Sequence, residues 1–225
     1  MVDKKRYLDC LLESKVLQFG EFQTKSGRLS PYFINTGLFS SGTAMTAVAE
    51  LYSDLIVERC GMGPHHLYGP AYKGIPLAVA VAMKLSERHR VTVSYSFNRK
   101  EAKGHGEGGS LVGRDITMGD SLIIVEDVMT GGTSVRESIE LLRARGATVA
   151  AVVVGVDRQE QGVTDRQASE EITADFGIPV HSILTIGDIL QLFEEDPDLG
   201  PQGTERRDLL GRISAYLDRY SPKRS

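Results

Sequence analysis

Cysteine is scarce in this chain: Cys10 and Cys60 stand alone, with no Cys-x-x-Cys and no histidine at ligand spacing. That excludes a disulfide scaffold and a zinc site, and leaves both thiols as packing residues. No apolar run approaches the length of a membrane span, and the N-terminus MVDKKRYLDCLLESK lacks the apolar centre and cleavage site of a signal peptide. The expectation is a cytoplasmic protein with no membrane partner. A positive excess is missing as well: 26 Lys and Arg against 30 Asp and Glu leave a net charge of −4, which argues against broad nucleic-acid binding but permits a local cationic cluster. Repeats, low-complexity tracts and linkers are absent, and EEDPDLGPQG (Glu194 to Gly203) reads as a surface loop before a terminal helix. With 225 residues, 41% hydrophobic and 25% charged, residues 1–225 fit one α/β domain with a full core.

Helix and strand patterns alternate from about residue 43, as in a mostly parallel central sheet flanked by helices. Helices are expected at Lys4 to Val16, Thr43 to Arg59, Ile75 to Arg88, Ser134 to Arg145, Ile186 to Leu192 and Glu205 to Asp218. Strands are expected at His66 to Tyr68, Val91 to Phe97, Ser121 to Val125, Thr148 to Val156 and Val180 to Leu184. In such sheets ligands bind beyond the carboxyl ends of the strands. The residues that follow three of these strands agree: Gly69-Pro70-Ala71-Tyr72-Lys73-Gly74, then Glu126-Asp127 with a glycine-rich loop, then Asp157-Arg158. One crevice is expected to hold a lysine, two carboxylates, an anion cradle and an arginine.

The most informative segment is Ser121 to Ser134, SLIIVEDVMTGGTS. An apolar strand ends in two acids and passes through Thr130-Gly131-Gly132-Thr133-Ser134 into a helix. Glycines let the backbone approach a phosphate, hydroxyls add donors, and the first N–H groups of the helix point at the anion. Acids repel phosphate, so Glu126 and Asp127 must serve something neutral beside it, such as vicinal hydroxyls. A ribose 5-phosphate meets both demands. The segment has neither the three spaced glycines of a dinucleotide fingerprint nor the Gly-Lys-Ser/Thr of a P-loop, and the plain alternative is an ordinary strand-to-helix turn.

A second constellation is NRKEAKGHGEGGSLVG, Asn98 to Gly113, where Arg99, Lys100, Lys103 and His105 fall within seven residues and Gly104, Gly106, Gly108 and Gly109 are interspersed or follow. By itself this reads as a solvated charge run. Beside a sugar-phosphate site it suits a flexible loop that closes over a diphosphate leaving group and excludes water.

The strand, acid pair and T-G-G-T-S together resemble the phosphoribosyl diphosphate (PRPP) signature of the type I phosphoribosyltransferases. Four further stretches, FQTKSGRLSPYFIN (Phe22 to Asn35), GPAYKGIP (Gly69 to Pro76), FNRKEAKGHGEGG (Phe97 to Gly109) and DRQE (Asp157 to Glu160), are similar to the orotate phosphoribosyltransferases within that family. The resemblance implies the type I phosphoribosyltransferase fold, with about residues 1–40 contributing to a small hood over the base. It implies that Tyr72 and Lys73 face the diphosphate, with Arg99, Lys100, Lys103 and His105 closing over it. Glu126 and Asp127 would take the ribose hydroxyls, and Val128, Met129, Thr130, Gly131, Gly132, Thr133 and Ser134 the 5-phosphate, while Lys25, Phe33, Ile34, Thr130 and Arg158 would line the orotate pocket. Relatives often carry two aromatics where Phe33-Ile34 stand and two aspartates where Glu126-Asp127 stand. They also often have a non-proline cis peptide in the GPAYKG loop.

The implied reaction joins PRPP to orotate, giving orotidine 5'-phosphate and diphosphate in pyrimidine synthesis, with Lys103, Asp127 and Glu126 catalytic. Mg²⁺ would bind mainly through PRPP, diphosphate and water, with no dedicated protein ligand. A homodimer is implied, loop 98–113 working in the neighbouring subunit's site. On physical grounds a guanidinium at a strand end can meet orotate's carboxylate with two parallel hydrogen bonds, which fits Arg158, although an exposed surface ion pair fits it equally. Transfer to another nucleobase, and a non-catalytic PRPP-sensing regulator, remain the alternatives.

Overall fold

The computed structural model describes residues 2–24, 27–63, 65–99 and 111–222. In chain order it runs α1 (Lys4–Glu13), β1 (Leu17–Gln23), β2 (Leu29–Ile34), a 3-10 turn (Thr36–Leu38), α2 (Gly42–Cys60), β3 (His65–Gly69), α3 (Gly74–His89), β4 (Val93–Asn98) and β5 (Leu111–Gly113). Then follow β6 (Ser121–Met129), α4 (Thr133–Arg143), β7 (Thr148–Asp157), α5 (Ala168–Phe176), β8 (Val180–Thr185), α6 (Ile186–Glu195) and α7 (Gly203–Tyr220).

Six strands form the central sheet in the order β5-β4-β3-β6-β7-β8. All neighbours are parallel except β5, which runs antiparallel to β4. The central strands are apolar on both faces because each face is covered, and successive residues alternate between two cores. Along β6, Leu122 and Ile124 pack with Ile139 and Leu142 of α4, whereas Ile123 and Val125 join the larger cluster built from α1, α2, α3, α6 and α7. Several helices start where a side chain accepts a first-turn amide: Asp3 from Arg6, Ser41 from Ala44, and Thr185 from Asp188 in a reciprocal capping box.

β1 and β2 form a separate antiparallel hairpin. α7 returns to pack on β2, and α1 sits against α2, α6 and β8 rather than on the hairpin alone. So the far end of the chain helps build the region around the hairpin.

Every expected helix and strand is present with shifted ends. Unforeseen were β1, β2, β5 and α5, all short: LQFGEFQ is broken by Gly20, and Leu111–Gly113 has three residues. α1 stops at Glu13 instead of Val16, since Lys15 takes a φ of 54° and the chain turns into the hairpin. β6 does not end at Val125; it continues through the acid pair to Met129, because β7 extends beside it and pairs Glu126 with Val154 and Met129 with Asp157. Glu126 and Asp127 are therefore held by the sheet itself.

Candidate active site

Successive residues of a strand face opposite sides, and Glu126 and Asp127 are neighbours on β6, so their environments differ. Glu126 is buried: its Oε1 accepts the Asp127 N–H at 3.1 Å and its Oε2 accepts the Ser134 hydroxyl at 2.7 Å. Burial, followed by the charge of Asp127, pushes the Glu126 carboxyl up to about 7. The Tyr52 hydroxyl donates to the Glu126 carbonyl at 2.9 Å, pinning the strand from α2. Asp127 is half-buried. Its Oδ1 accepts the Val128 N–H at 2.8 Å, and its Oδ2 receives both the Thr36 hydroxyl and the Lys73 ammonium, the latter at 3.3 Å.

Beyond the acids the chain reaches Gly132, whose φ of 77° suits glycine and turns the backbone into α4. No side chain caps α4 and no acid occupies its first turn. The first amides of a helix have no partner within it, so this end is a positive, donor-rich anion site. Ser134, within that turn, is the residue bonded to Glu126, which joins the anion end to the acid pair. The Met129 side chain is buried in the α4-side core, leaving its backbone at the loop, where its carbonyl accepts the Arg158 N–H at 3.0 Å.

The GPAYKG loop enters from β3. The Ala71–Tyr72 peptide is cis, and the Ala71 N–H donates to Asn98 Oδ1 at 2.9 Å, tying this loop to the end of β4, where exposed Arg99 follows. Gly69 is required: a Cβ there would stand 2.2 Å from the Gly74 carbonyl oxygen. Tyr72 is exposed. A cavity of about 140 Å³ lies against Lys73 and Asp127, walled by apolar side chains including Phe39, Met45 and Leu77.

Arg158 is not the exposed strand-end arginine that its position in DRQE suggested. It is 4% exposed, with Nε donating to Glu160 Oε1 at 2.7 Å, Nη2 2.6 Å from the same oxygen, and Nη2 also donating to Ser30 Oγ at 3.1 Å. Its guanidinium lies over the Tyr32 ring, 4.3 Å from the centroid. Glu160 also accepts Arg28 at 2.9 Å and the Tyr216 hydroxyl at 2.9 Å. Glu160 thus serves two guanidiniums at once, and the buried Asp157 carboxylate lies close enough to act on it.

On β2, Phe33 is exposed and stacks on Phe22 with ring centroids 5.4 Å apart. Ile34, expected beside it in the pocket, faces the opposite side and is buried in the main core, as strand alternation demands. Lys25, Lys100, Lys103 and His105 lie outside the described residues.

With this geometry, the comparisons with known proteins agree. The family model of the phosphoribosyl transferase domain matches residues 38–181. A protein of Salmonella newport named orotate phosphoribosyltransferase is 45% identical over 217 residues, covering 96% of this chain and 97% of its own. The chain belongs to the orotate phosphoribosyltransferase family. A member from Edwardsiella ictaluri is 42% identical over the same share of both chains. The crystal structure of the Francisella tularensis orotate phosphoribosyltransferase has a TM-score of 0.79 at 35% identity, covering 96% of this chain and 98% of that one.

Within this orotate phosphoribosyltransferase fold, sequence reasoning had overlooked Thr36, Asn98, Arg28 and Tyr216, and had quoted Glu160 without a role. A lone threonine or tyrosine carries no motif. Asn98, Arg28 and Glu160 lie inside the stretches that carry the resemblance, where nothing but their position marks them.

Proposed function

We infer that the chain catalyses transfer of the 5-phosphoribosyl group of PRPP to orotate, giving orotidine 5'-phosphate and diphosphate in pyrimidine nucleotide synthesis. The observation that carries this reading is the contact of Lys73 with Asp127, whose neighbour Glu126 is bonded to Ser134 in the uncapped first turn of α4, which links cation, hydroxyl acceptor and anion cradle.

In the proposed arrangement the α4 amides, with Thr130 to Ser134 and the backbone of Val128 and Met129, hold the 5-phosphate. Asp127 and ionised Glu126 accept the ribose hydroxyls. Lys73, Tyr72 and Arg99, with Lys100, Lys103 and His105, receive the diphosphate. Arg158, Lys25, Phe33, Ile34 and Thr130 serve the base, and a guanidinium among them suits one that carries a carboxylate.

As the C1 to diphosphate bond stretches, positive charge grows on the ribose and negative charge on the departing group, so no protein nucleophile is needed. The acids lie near the first charge and the cations near the second, stabilising the transition state electrostatically. Mg²⁺, when bound, further neutralises the diphosphate. Among the described residues no three carboxylate, imidazole or thiolate side chains converge, and Glu126 and Asp127 already accept protein donors. This donor set fits an ion held through substrate oxygens and water.

Residues 1–225 are read as one catalytic domain, since a single core cluster takes side chains from Tyr7 to Tyr216. A cytoplasmic setting is proposed: both cysteines are free thiols, and among the described residues no helix is long and apolar enough to cross a membrane. The test of function follows orotate absorbance with PRPP and Mg²⁺, with and without a chelator, and then with uracil, adenine and hypoxanthine. Consumption of orotate that needs the metal is expected, and preference for an uncharged base would refute the reading.

The family resemblance also supports a homodimer in which loop 98–113 acts across the interface. Mixed Lys103→Ala and Asp127→Ala subunits are then expected to regain part of the activity through hybrid sites. Exchanged subunits that stay inactive would refute shared sites.

A further inference from the structure

We propose that Thr36 is a positioning residue: its hydroxyl holds the Asp127 carboxylate in place while Lys73 leaves it for the diphosphate. This rests on the reading of Asp127 as the ribose acceptor.

The argument starts from the acceptor capacity of one carboxylate. Each oxygen offers about two lone-pair directions. Oδ1 of Asp127 takes the Val128 amide, and Oδ2 takes the Thr36 hydroxyl together with the Lys73 ammonium. Oδ1 keeps an open direction for one ribose hydroxyl, whereas a second hydroxyl arriving at Oδ2 has to replace one of these two donors.

Their attachments decide which one leaves. Lys73 sits where the GPAYKG loop enters α3, its long side chain is 47% exposed, and a diphosphate nearby, with several negative charges, offers a stronger attraction than a single carboxylate. Thr36 opens the 3-10 turn between β2 and α2, which is anchored to the main chain before β1 and closed on itself. The Asn35 N–H donates to the Val16 carbonyl at 2.8 Å, and the Phe39 N–H donates to the Thr36 carbonyl at 3.1 Å. Threonine is also stiff at χ1. So Lys73 departs, the sugar hydroxyl takes its place, and Thr36 keeps the carboxylate from following the lysine.

The same bond has a second effect. Thr36 lies two residues beyond the end of β2, the strand that carries Phe33 and supplies Ser30 to Arg158. A hydrogen bond from this strand's exit to the sugar acid thereby fixes the spacing between the base region and the ribose.

Thr36→Val deletes the hydroxyl with little change of shape, Thr36→Ser keeps it, and Thr36→Ala is a second variant without it. The expected result is that Val and Ala lower kcat/KM for PRPP about tenfold, the loss of one hydrogen bond to a charged acceptor, while the KM for orotate moves less than about twofold. Ser is expected to stay within about threefold of the parent. PRPP affinity, measured by calorimetry without orotate, should weaken in Val and Ala alone. A parent that binds PRPP alongside an unaffected Val variant overturns the role of Thr36, as do Ser and Val variants equally impaired, which would assign the effect to packing. A parent that binds no PRPP sinks the functional reading itself.

Discussion

Glu126 is the residue on which stability and function are expected to pull in opposite directions. Its carboxyl is pushed from 4.5 up to about 7 by burial first and by Asp127 second. Ionising it in the folded protein thus costs about 3 kcal/mol more than in the unfolded chain. The sign follows from linkage: between pH 4.5 and 7 the native state holds a proton that the unfolded state has released, so stability falls as pH rises, and the penalty is complete above pH 7. Glu126→Gln removes it while keeping the shape: the amide oxygen can accept the Asp127 N–H, and the amide nitrogen can donate to Ser134 Oγ. At pH 8.5 the ligand-free variant is therefore expected to be more stable than the parent by roughly 2–3 kcal/mol, or about 4–12 °C in Tm for a chain of this size. Near pH 5 most of the difference should vanish. PRPP binding should be lost or severely weakened, since a ribose hydroxyl loses its charged acceptor. Urea unfolding at both pH values, with calorimetric PRPP titration, reads all three. A stability difference that does not grow with pH would refute the account of Glu126.

Other perturbations reach different parts of the site. Gly69→Ala places a methyl 2.2 Å from the Gly74 carbonyl oxygen, a backbone atom, so the GPAYKG loop must shift; a loss of about 1–3 kcal/mol in thermal unfolding and a matching fall in PRPP affinity are expected. Glu160→Gln takes away the one carboxylate between Arg28 and Arg158, leaving Arg158 buried without its counter-charge. It is expected to destabilise by about 3 kcal/mol or more and, because the Arg158 guanidinium loses the partner that fixes its orientation, to raise the KM for orotate more than that for PRPP, as steady-state kinetics at varied substrate would reveal.

Much of the chemistry was legible because it is written locally. The apolar run before Glu126, the acid pair, the glycines of Thr130 to Ser134 and the following helix are contiguous, and a contiguous motif keeps its meaning once it lies at the carboxyl end of a parallel strand. The alternation of apolar runs with helical periods likewise announced the sheet, since both signals arise within single turns or pleats. The side chains of Ile34 and Met129 turn into the core, which a motif does not announce, because it names positions but not the face each side chain takes; that depends on which neighbours cover the strand.

The strand-to-helix turn, the acids before it and the parallel sheet beneath them were determined by residues adjacent in the chain. Only tertiary structure decided how those acids are held: Thr36 meets Asp127 across 91 positions, Arg28 meets Glu160 across 132, and Tyr216 reaches Glu160 across 56. A hydrogen bond or ion pair depends on separation in space, and no pattern along the chain encodes that for residues so far apart until the core has packed.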